Sequence, residues 1–129
     1  LEDVQLKQFV ERLGEKLDHE LLEHGANVGV GERRLICLAR VLLQQNKIVI
    51  LDEPTALVDP DTERTIWNGV RKKVKDSTVI PIAHRLNTIK DCEITVVLRN
   101  GQVKEFGRFD TLINREGSAL RKMARGANV

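Results

Sequence analysis

Two short apolar runs with a helix pattern between them constrain the fold more than any other feature of this chain. KIVILD at residues 47–52 and STVIPIAH at 77–84 are rich in β-branched residues and have the length of strands. Between them, Asp59 can cap a helix whose first residue is Pro60. Parallel strands need such a crossover, so the order predicts an α/β fold with a largely parallel, buried sheet.

Helix patterns precede this unit. Residues 3–13 have apolar residues at helical spacing, and Gly14 ends the run. Residues 15–27 are polar and predict mostly loop. A longer helix is expected from Glu32 to about Gln45. Its predicted buried side carries Leu35, Leu38, Ala39, Leu42 and Leu43.

Further elements are expected inside and after the crossover. The crossover helix has its apolar positions at Ile66, Trp67, Val70 and Val74. Pro81 should cost the second strand one ladder donor. The expected elements that follow are a helical turn at 86–90, strands at 93–98 and 102–106 joined by an Asn100–Gly101 hairpin turn, and helices at about 109–114 and 118–125.

Composition narrows the class of protein. The 129 residues can bury a moderate core, and 21 basic against 19 acidic residues leave a net charge of +2. So small a charge gives no support for a nucleic-acid partner, and no apolar run approaches the roughly 18 residues of a membrane span. Cys37 and Cys92 lie among apolar residues without metal-ligand spacing, so we expect two buried thiols in a reducing compartment.

Adjacent carboxylates follow the first predicted strand. In ILDEPT, Asp52 and Glu53 come at its C-terminal tip, on the edge where open α/β sheets bind ligands. A nucleotide site needs one acid in the magnesium shell and another to orient a water toward the γ-phosphate. His84 ends the next strand at what should be the same edge. The alternatives are a solvated acid pair before a turn and a surface histidine.

A glycine pair precedes the longer helix, in NVGVGERR at 27–34. Gly29 and Gly31 can form a nest of backbone N–H groups, to which the helix N-terminus adds positive potential. A plain turn that starts a helix explains the same glycines. Arg33 and Arg34 fit either interpretation.

Taken in order, these motifs resemble the C-terminal half of an ATP-binding-cassette (ABC) nucleotide-binding domain. The corresponding positions are Val28, Gly29, Val30, Gly31 and Glu32 for the signature, Ile48–Asp52 for the Walker B strand, Glu53 for the catalytic glutamate, Ala56–Asp59 for the D-loop, and His84 for the switch histidine. KLDHELLEHGANVGVGERRLICLARVLL, IAHRLNTIKD and LRNGQVKEFGRFDTLI resemble the multidrug-resistance-protein-like C subfamily of exporters. Glu53 favours the second cassette, since the first often lacks this residue.

The resemblance implies an incomplete P-loop NTPase (ABC ATPase) fold. Residues 1–46 would be part of the helical subdomain with the signature helix, and 47–129 the C-terminal part of the RecA-like core. ATP and Mg²⁺ are the implied cofactors, with Asp52 in the magnesium shell. Glu53 would be the general base of an ATPase, and His84 would contact the γ-phosphate.

The resemblance also implies partners. Residues 28–32 would clamp the ATP of a second cassette, and Asp59 would link the two sites. The other partners would be the transmembrane domains of the same transporter, at the cytosolic face of a membrane.

Several family features are changed or missing. Gly29 stands where serine is usual and Glu32 where glutamine is usual, and one lost hydrogen bond to a charged group should weaken closure by roughly 1.5–3 kcal/mol. The sequence has no G-x-x-x-x-G-K-[ST], no glutamine loop and no adenine-stacking aromatic. We therefore expect a piece of a longer polypeptide, inactive by itself. Its exposed strand edges should make it poorly behaved unless it dimerises, swaps strands or belongs to a complete domain.

Two other functions stay open. The first is a non-transport ABC ATPase of chromosome maintenance, which often carries glutamate at the position of Glu32. IAHRLNTI, NGQVKEFG and the absence of a coiled-coil segment argue against it. The second is a non-catalytic regulatory cassette, and substitution of Glu53 would discriminate between it and an ATPase.

Overall fold

The chain folds as two units, residues 1–82 and 83–129, and each is described by itself. The computed structural model describes residues 1–83 and 85–126, so the prediction for His84 lies outside the described residues. The first unit contains α1 (Lys7–Arg12), α2 (Val30–Gln44), β1 (Ile48–Asp52), α3 (Pro60–Lys73) and β2 (Thr78–Ile82). The second contains α4 (Leu86–Ile89), β3 (Thr95–Arg99), β4 (Gln102–Gly107), α5 (Phe109–Asn114) and α6 (Ala119–Ala124).

β1 and β2 pair in parallel with α3 as the crossover, which confirms the predicted α/β arrangement. Ile48 lies opposite Thr78, and Asp52 opposite Ile82. Val49 and Leu51 are buried in the core. Side chains alternate along a strand, and only the face with Val49 and Leu51 packs into the core of this unit. The prediction of fully buried strands is therefore wrong for the opposite face of the sheet. The outward residues Ile48, Ile50, Ile80 and Ile82 are between 47% and 64% exposed.

Pro81 lies inside β2, opposite Leu51. The Thr78 amide donates to the Lys47 carbonyl at 2.7 Å, so Thr78 and every second residue after it turn their backbone groups toward β1. Pro81 therefore faces the opposite edge of β2, where its missing N–H costs the β1–β2 ladder nothing. The expected loss of a ladder donor does not occur in this pairing.

The core of the first unit is organised around α3. All four predicted apolar positions of this helix are buried. The buried cluster consists of Val4, Leu6, Leu35, Leu38, Val49, Leu51, Ile66, Trp67, Val70 and Val74. Gly69 allows the N-terminal segment to approach α3 closely, because a Cβ there would lie 2.6 Å from the Asp3 carbonyl oxygen.

Three expectations for the helices before β1 are wrong. Residues 3–13 do not form one helix: a 3₁₀ turn at Glu2–Val4 ends at Gln5, whose φ is 57°, and α1 follows. Leu43 is 83% exposed, and Cys37 is exposed rather than buried. Cys37 lies two residues after the buried Leu35, about 200° around the helix and so on its opposite face.

The second unit is a hairpin covered on one side by helices. Asn100 and Gly101 both have positive φ, 51° and 72°, as the tight turn predicted for this pair requires. The strands carry an irregularity between Val97 and Leu98. Val97, Leu112 and Leu120 form the buried cluster of this unit.

A buried carboxylate joins β4 to α6. The Glu105 side chain is 8% exposed and accepts hydrogen bonds from the Arg115 guanidinium at 2.6 Å, the Ser118 hydroxyl at 2.8 Å and the Leu120 amide at 3.0 Å. Burial by itself raises the pKa of Glu105. The bonds from Leu120, Ser118 and Arg115 outweigh it and lower the pKa to about 2.

Glu105→Gln should destabilise the chain by about 1–3 kcal/mol at pH 7, since the charge-assisted bonds are lost inside the fold. The folded-state pKa lies below the ordinary 4.5, so the carboxylate stabilises above pH 4.5 and loses its effect as the pH falls toward 2. Urea unfolding of the original chain and of Glu105→Gln between pH 7 and pH 2 measures the difference in their free energies of unfolding. Glu93→Gln, at an exposed position, is the control and should leave the free energy of unfolding unchanged. A gap for Glu105→Gln that persists at pH 2 would contradict the account.

Candidate functional site

The predicted carboxylate pair lies at the C-terminal end of β1. Asp52 is the last residue of this strand and is exposed, and the half-buried Glu53 follows it. The Glu53 amide donates to the Ile82 carbonyl at 3.0 Å, which extends the parallel ladder one residue past the end of β1. The pair therefore occupies the edge of the sheet that the sequence indicated.

Glu53 has an unusual backbone conformation. Its φ is 43°, in the left-handed region, which costs a residue other than glycine on the order of 1–3 kcal/mol. Besides the amide bond to Ile82, its carbonyl accepts from the Arg34 guanidinium at 2.8 Å and from the Ala56 amide at 3.3 Å. Sequence reasoning missed this role of Arg34, because charge and spacing alone do not show which carbonyl an arginine will reach.

A groove separates the start of α2 from β1. Its volume is about 410 Å³, and Val30, Arg34, Cys37, Ile50, Asp52 and Pro54 are among the residues that line it. The groove thus brings the predicted signature segment and the predicted magnesium ligand to one concave surface. A larger groove of about 650 Å³ runs along residues 1–18 and contains none of the predicted site residues.

The predicted signature residues form the entry to α2. Val28 is buried, Gly29 is the N-cap, and Val30, Gly31 and Glu32 form the first turn. The N–H groups of a first turn lack acceptors within the helix, so this end carries positive potential.

The Glu32 side chain folds back over Gly29. A Cβ on Gly29 would clash with Oε2 of Glu32 and lie 3.3 Å from its Cδ. The carboxylate therefore occupies the space that a serine side chain at position 29 would need. The two departures from the usual signature are thus in contact, and each accommodates the other.

The two arginines of this segment have different roles. Arg33 donates to the His24 carbonyl at 2.9 Å and anchors the preceding loop. Asn27 orders the same loop by accepting from the Leu22 amide and donating to the Glu20 carbonyl. Arg33 is accounted for as a structural residue, whereas Arg34 donates to the backbone carbonyl of Glu53.

Asp59 caps α3 as predicted. Its carboxylate accepts from the Thr62 amide at 3.0 Å, and Pro60 is the first helical residue. Hydrogen bonds from the Thr62 side chain and backbone lower the pKa of Asp59. The side chain remains exposed, so capping leaves part of it accessible to other molecules.

A second contact tethers the loop that follows Glu53. The hydroxyl of the buried Thr55 donates to Oε1 of the buried Glu63 at 2.9 Å. Sequence reasoning missed this pair. The available signal was that Glu63 lies three and four residues before Ile66 and Trp67, on the buried face of α3.

The carboxylate at the end of β1 suits magnesium bound together with phosphates. Among residues 1–83 and 85–126, no group of three or more histidine, cysteine, aspartate or glutamate side chains could hold a metal ion by itself. Mg²⁺ keeps several waters and is usually bound by one or two carboxylates plus substrate phosphates. Asp52 fits that donor set as a single oxygen ligand, whereas it does not fit a cage made only of protein ligands.

Comparisons with known proteins agree with this geometry. Residues 1–56 match the protein-family model described as ABC transporter. The chain is 47% identical to ATP-binding cassette sub-family C member 4 of Mus musculus over 123 residues, which is 95% of this chain and 9% of that protein. It is 42% identical to a probable multidrug resistance-associated protein of Drosophila melanogaster over 131 residues, 92% of this chain and 10% of that protein.

A solved structure has the same fold. A bacterial Atm1-family ABC exporter with ATP bound matches with a TM-score of 0.86 and 34% identity, over 98% of this chain and 22% of that one. The chain spans about a tenth of the length of the curated relatives above.

Asp59→Ala should lower the urea midpoint of unfolding, because the Thr62 amide loses its acceptor. Asp59→Asn and Asp59→Ser should restore most of it, since both side chains cap helices well. Equal destabilisation by alanine and asparagine would show that the carboxylate does more in folding than cap α3.

Gly29→Ser should disturb Glu32, because the added side chain takes the space of the carboxylate. In a double-mutant cycle with Glu32→Ala, we expect a coupling of about 0.5–1 kcal/mol, with the serine less costly once the carboxylate is gone. Urea unfolding of the four proteins measures it. Gly31→Ser is the matched control, because a Cβ at Gly31 meets nothing within 4 Å and its effect should add to that of Glu32→Ala. Additive effects at Gly29 would contradict the contact.

Proposed function

We infer that this chain belongs to the ABC transporter family, and within it to the C subfamily. From this premise we propose that it is the C-terminal part of a cassette whose ATP hydrolysis drives an exporter. The observation that carries the proposal is the pair Asp52–Glu53 at the end of β1, with the Glu53 backbone held by Ile82 and Arg34. A phosphoryl-transfer site needs its acids held in place, because positioning supplies much of the rate.

Each acid has a separate role in this proposal. Asp52 would hold the shell of the Mg²⁺ ion that accompanies ATP, and the ion would neutralise charge on the phosphates. Glu53 would orient the attacking water and accept its proton. His84 would contact the γ-phosphate, a role that rests on the sequence resemblance alone.

The entry to α2 would serve the nucleotide of a second cassette. Residues 28–32 would present the backbone N–H groups of a helix N-terminus to that nucleotide. Glu32 would put a carboxylate at the same place, so this half of the clamp should be weak. Asp59, exposed beside the helix it caps, would link the two sites. A weak clamp on the nucleotide of the second cassette is compatible with turnover of the nucleotide of this cassette, on which Glu53 would act.

The remaining assignments concern the complete protein. Residues 1–46 would belong to the helical subdomain and 47–129 to the RecA-like core of the second cassette. The cassette would act at the cytosolic face of a membrane with transmembrane domains of the same transporter. Within the described part of this chain, no helix is long and apolar enough to cross a membrane. The 129 residues contain no phosphate-binding G-x-x-x-x-G-K-[ST] sequence, so we expect no hydrolysis by this chain alone.

The exporter is better supported than the other two functions. The relatives reported above include a multidrug resistance-associated protein and an ABC exporter, which favours transport over chromosome maintenance. The left-handed backbone of Glu53 favours catalysis over a regulatory cassette, because strained residues beside a ligand-binding edge cluster at active sites.

Glu53→Gln in the full-length transporter should lower the ATPase rate by about 100-fold or more, because the general base is removed. ATP binding, followed with a fluorescent nucleotide, should be retained. Glu116→Gln, at an exposed position of the second unit, is the matched control and should hydrolyse ATP at the original rate. An unchanged rate for Glu53→Gln would refute the catalytic assignment and favour the regulatory cassette.

A further inference from the structure

We propose that Arg34 is a positioning residue for Glu53: its guanidinium, reaching from α2, holds the backbone from which the Glu53 carboxylate extends. The inference rests on the proposed function, in which Glu53 is the general base. It adds Arg34 to the site and links the start of α2, which is proposed to face the nucleotide of the second cassette, to the proposed general base Glu53.

The contact joins two elements that are distant in the sequence. Nη1 of Arg34 donates to the Glu53 carbonyl at 2.8 Å, across 19 positions. A cationic donor makes this bond stronger than one between neutral groups, and the other bond to the same carbonyl, from the Ala56 amide, is longer at 3.3 Å. With the bond from the Glu53 amide to Ile82, three hydrogen bonds converge on the backbone of one residue.

Only one of these three bonds can be removed by changing a side chain. The bonds to Ile82 and Ala56 are made by backbone groups, whereas the bond from Arg34 is made by a side chain. Arg34 is also exposed, so its removal leaves no cavity in the core. Substitution at this position therefore tests the positioning of Glu53 with little effect on the fold.

The conformation of Glu53 gives the contact its importance. At a φ of 43° the residue does not sit in the wells that non-glycine residues prefer. If the carbonyl were released, rotation toward those wells would turn the Cβ and carry the carboxylate away from its place. Misplacement of a catalytic group by about 1 Å can cost 100-fold in rate, so even partial relaxation should be visible in kcat.

The position of Arg34 on α2 has a further consequence. The same helix begins at Val30, behind the Gly29 cap, and Arg34 follows one turn later. In the proposed function, the start of α2 faces the nucleotide of the second cassette, while Arg34 contacts the residue that acts on this cassette's own nucleotide. A shift of α2 when the two cassettes close would therefore move the Glu53 carbonyl directly.

The experiment uses the full-length transporter with Arg34→Ala, Arg34→Lys and a control, Arg12→Ala. Arg12 also donates to a backbone carbonyl, that of Gln8, but at the exposed surface of α1. For Arg34→Ala we expect kcat for ATP hydrolysis to fall about tenfold while KM for ATP and the melting temperature stay unchanged. Arg34→Lys, which keeps a cationic donor, should recover part of the rate, and Arg12→Ala should match the original protein.

A double-mutant cycle with Glu53→Gln gives the decisive measurement. If Arg34 acts through Glu53, Arg34→Ala should lower the single-turnover rate tenfold in the original protein and have little effect once Glu53 is glutamine. An unchanged kcat for Arg34→Ala, or an equal loss in both backgrounds, would overturn the inference and leave the proposed function standing. An unaffected rate for Glu53→Gln alone would overturn the proposed function, and this inference with it.

Discussion

The parallel pairing of β1 with β2 is the constraint on which the site depends. The ladder runs from Ile48 opposite Thr78 to Asp52 opposite Ile82, and the Glu53 amide adds one more bond to the Ile82 carbonyl. Because β1 ends in step with β2, its two acids emerge at a defined place on the sheet edge. A register slip of one residue would turn Asp52 to the opposite face of the sheet and remove the anchor of Glu53.

The helix α2 contributes two further side chains to the site. In its first turn the Glu32 side chain lies over Gly29, and in its next turn Arg34 donates a hydrogen bond to the Glu53 carbonyl. Gly29 and Glu32, the two positions that depart from the signature that the sequence resembles, are therefore neighbours, and the glycine leaves room for the carboxylate. In the proposed function, one helix thus weakens the clamp on a partner's nucleotide and supports hydrolysis in its own cassette.

The sequence predicted those features that local chemistry decides. The Asp59 cap, the hairpin turn at Asn100–Gly101 and the carboxylates after β1 follow from turn and capping rules and from strand order. Burial was less predictable, because it depends on what covers each face. Ile50 has the pattern of a buried strand residue, yet its side chain is 62% exposed. The apolar neighbours of Cys37 predict a buried thiol, yet its angular position on α2 places it on the exposed side of the helix.

Tertiary hydrogen bonds were the least predictable part, since a backbone carbonyl carries no signal in the sequence. The bond from the Glu53 amide to the Ile82 carbonyl is the most direct test of the account, and hydrogen–deuterium exchange at the Glu53 amide of the full-length protein measures it. Exchange should be slowed to the level of the β1 amides, well below that of the amide of the exposed Leu57. Exchange of the Glu53 amide as fast as that of Leu57 would show that β1 ends before its acids and would contradict the placement of the site.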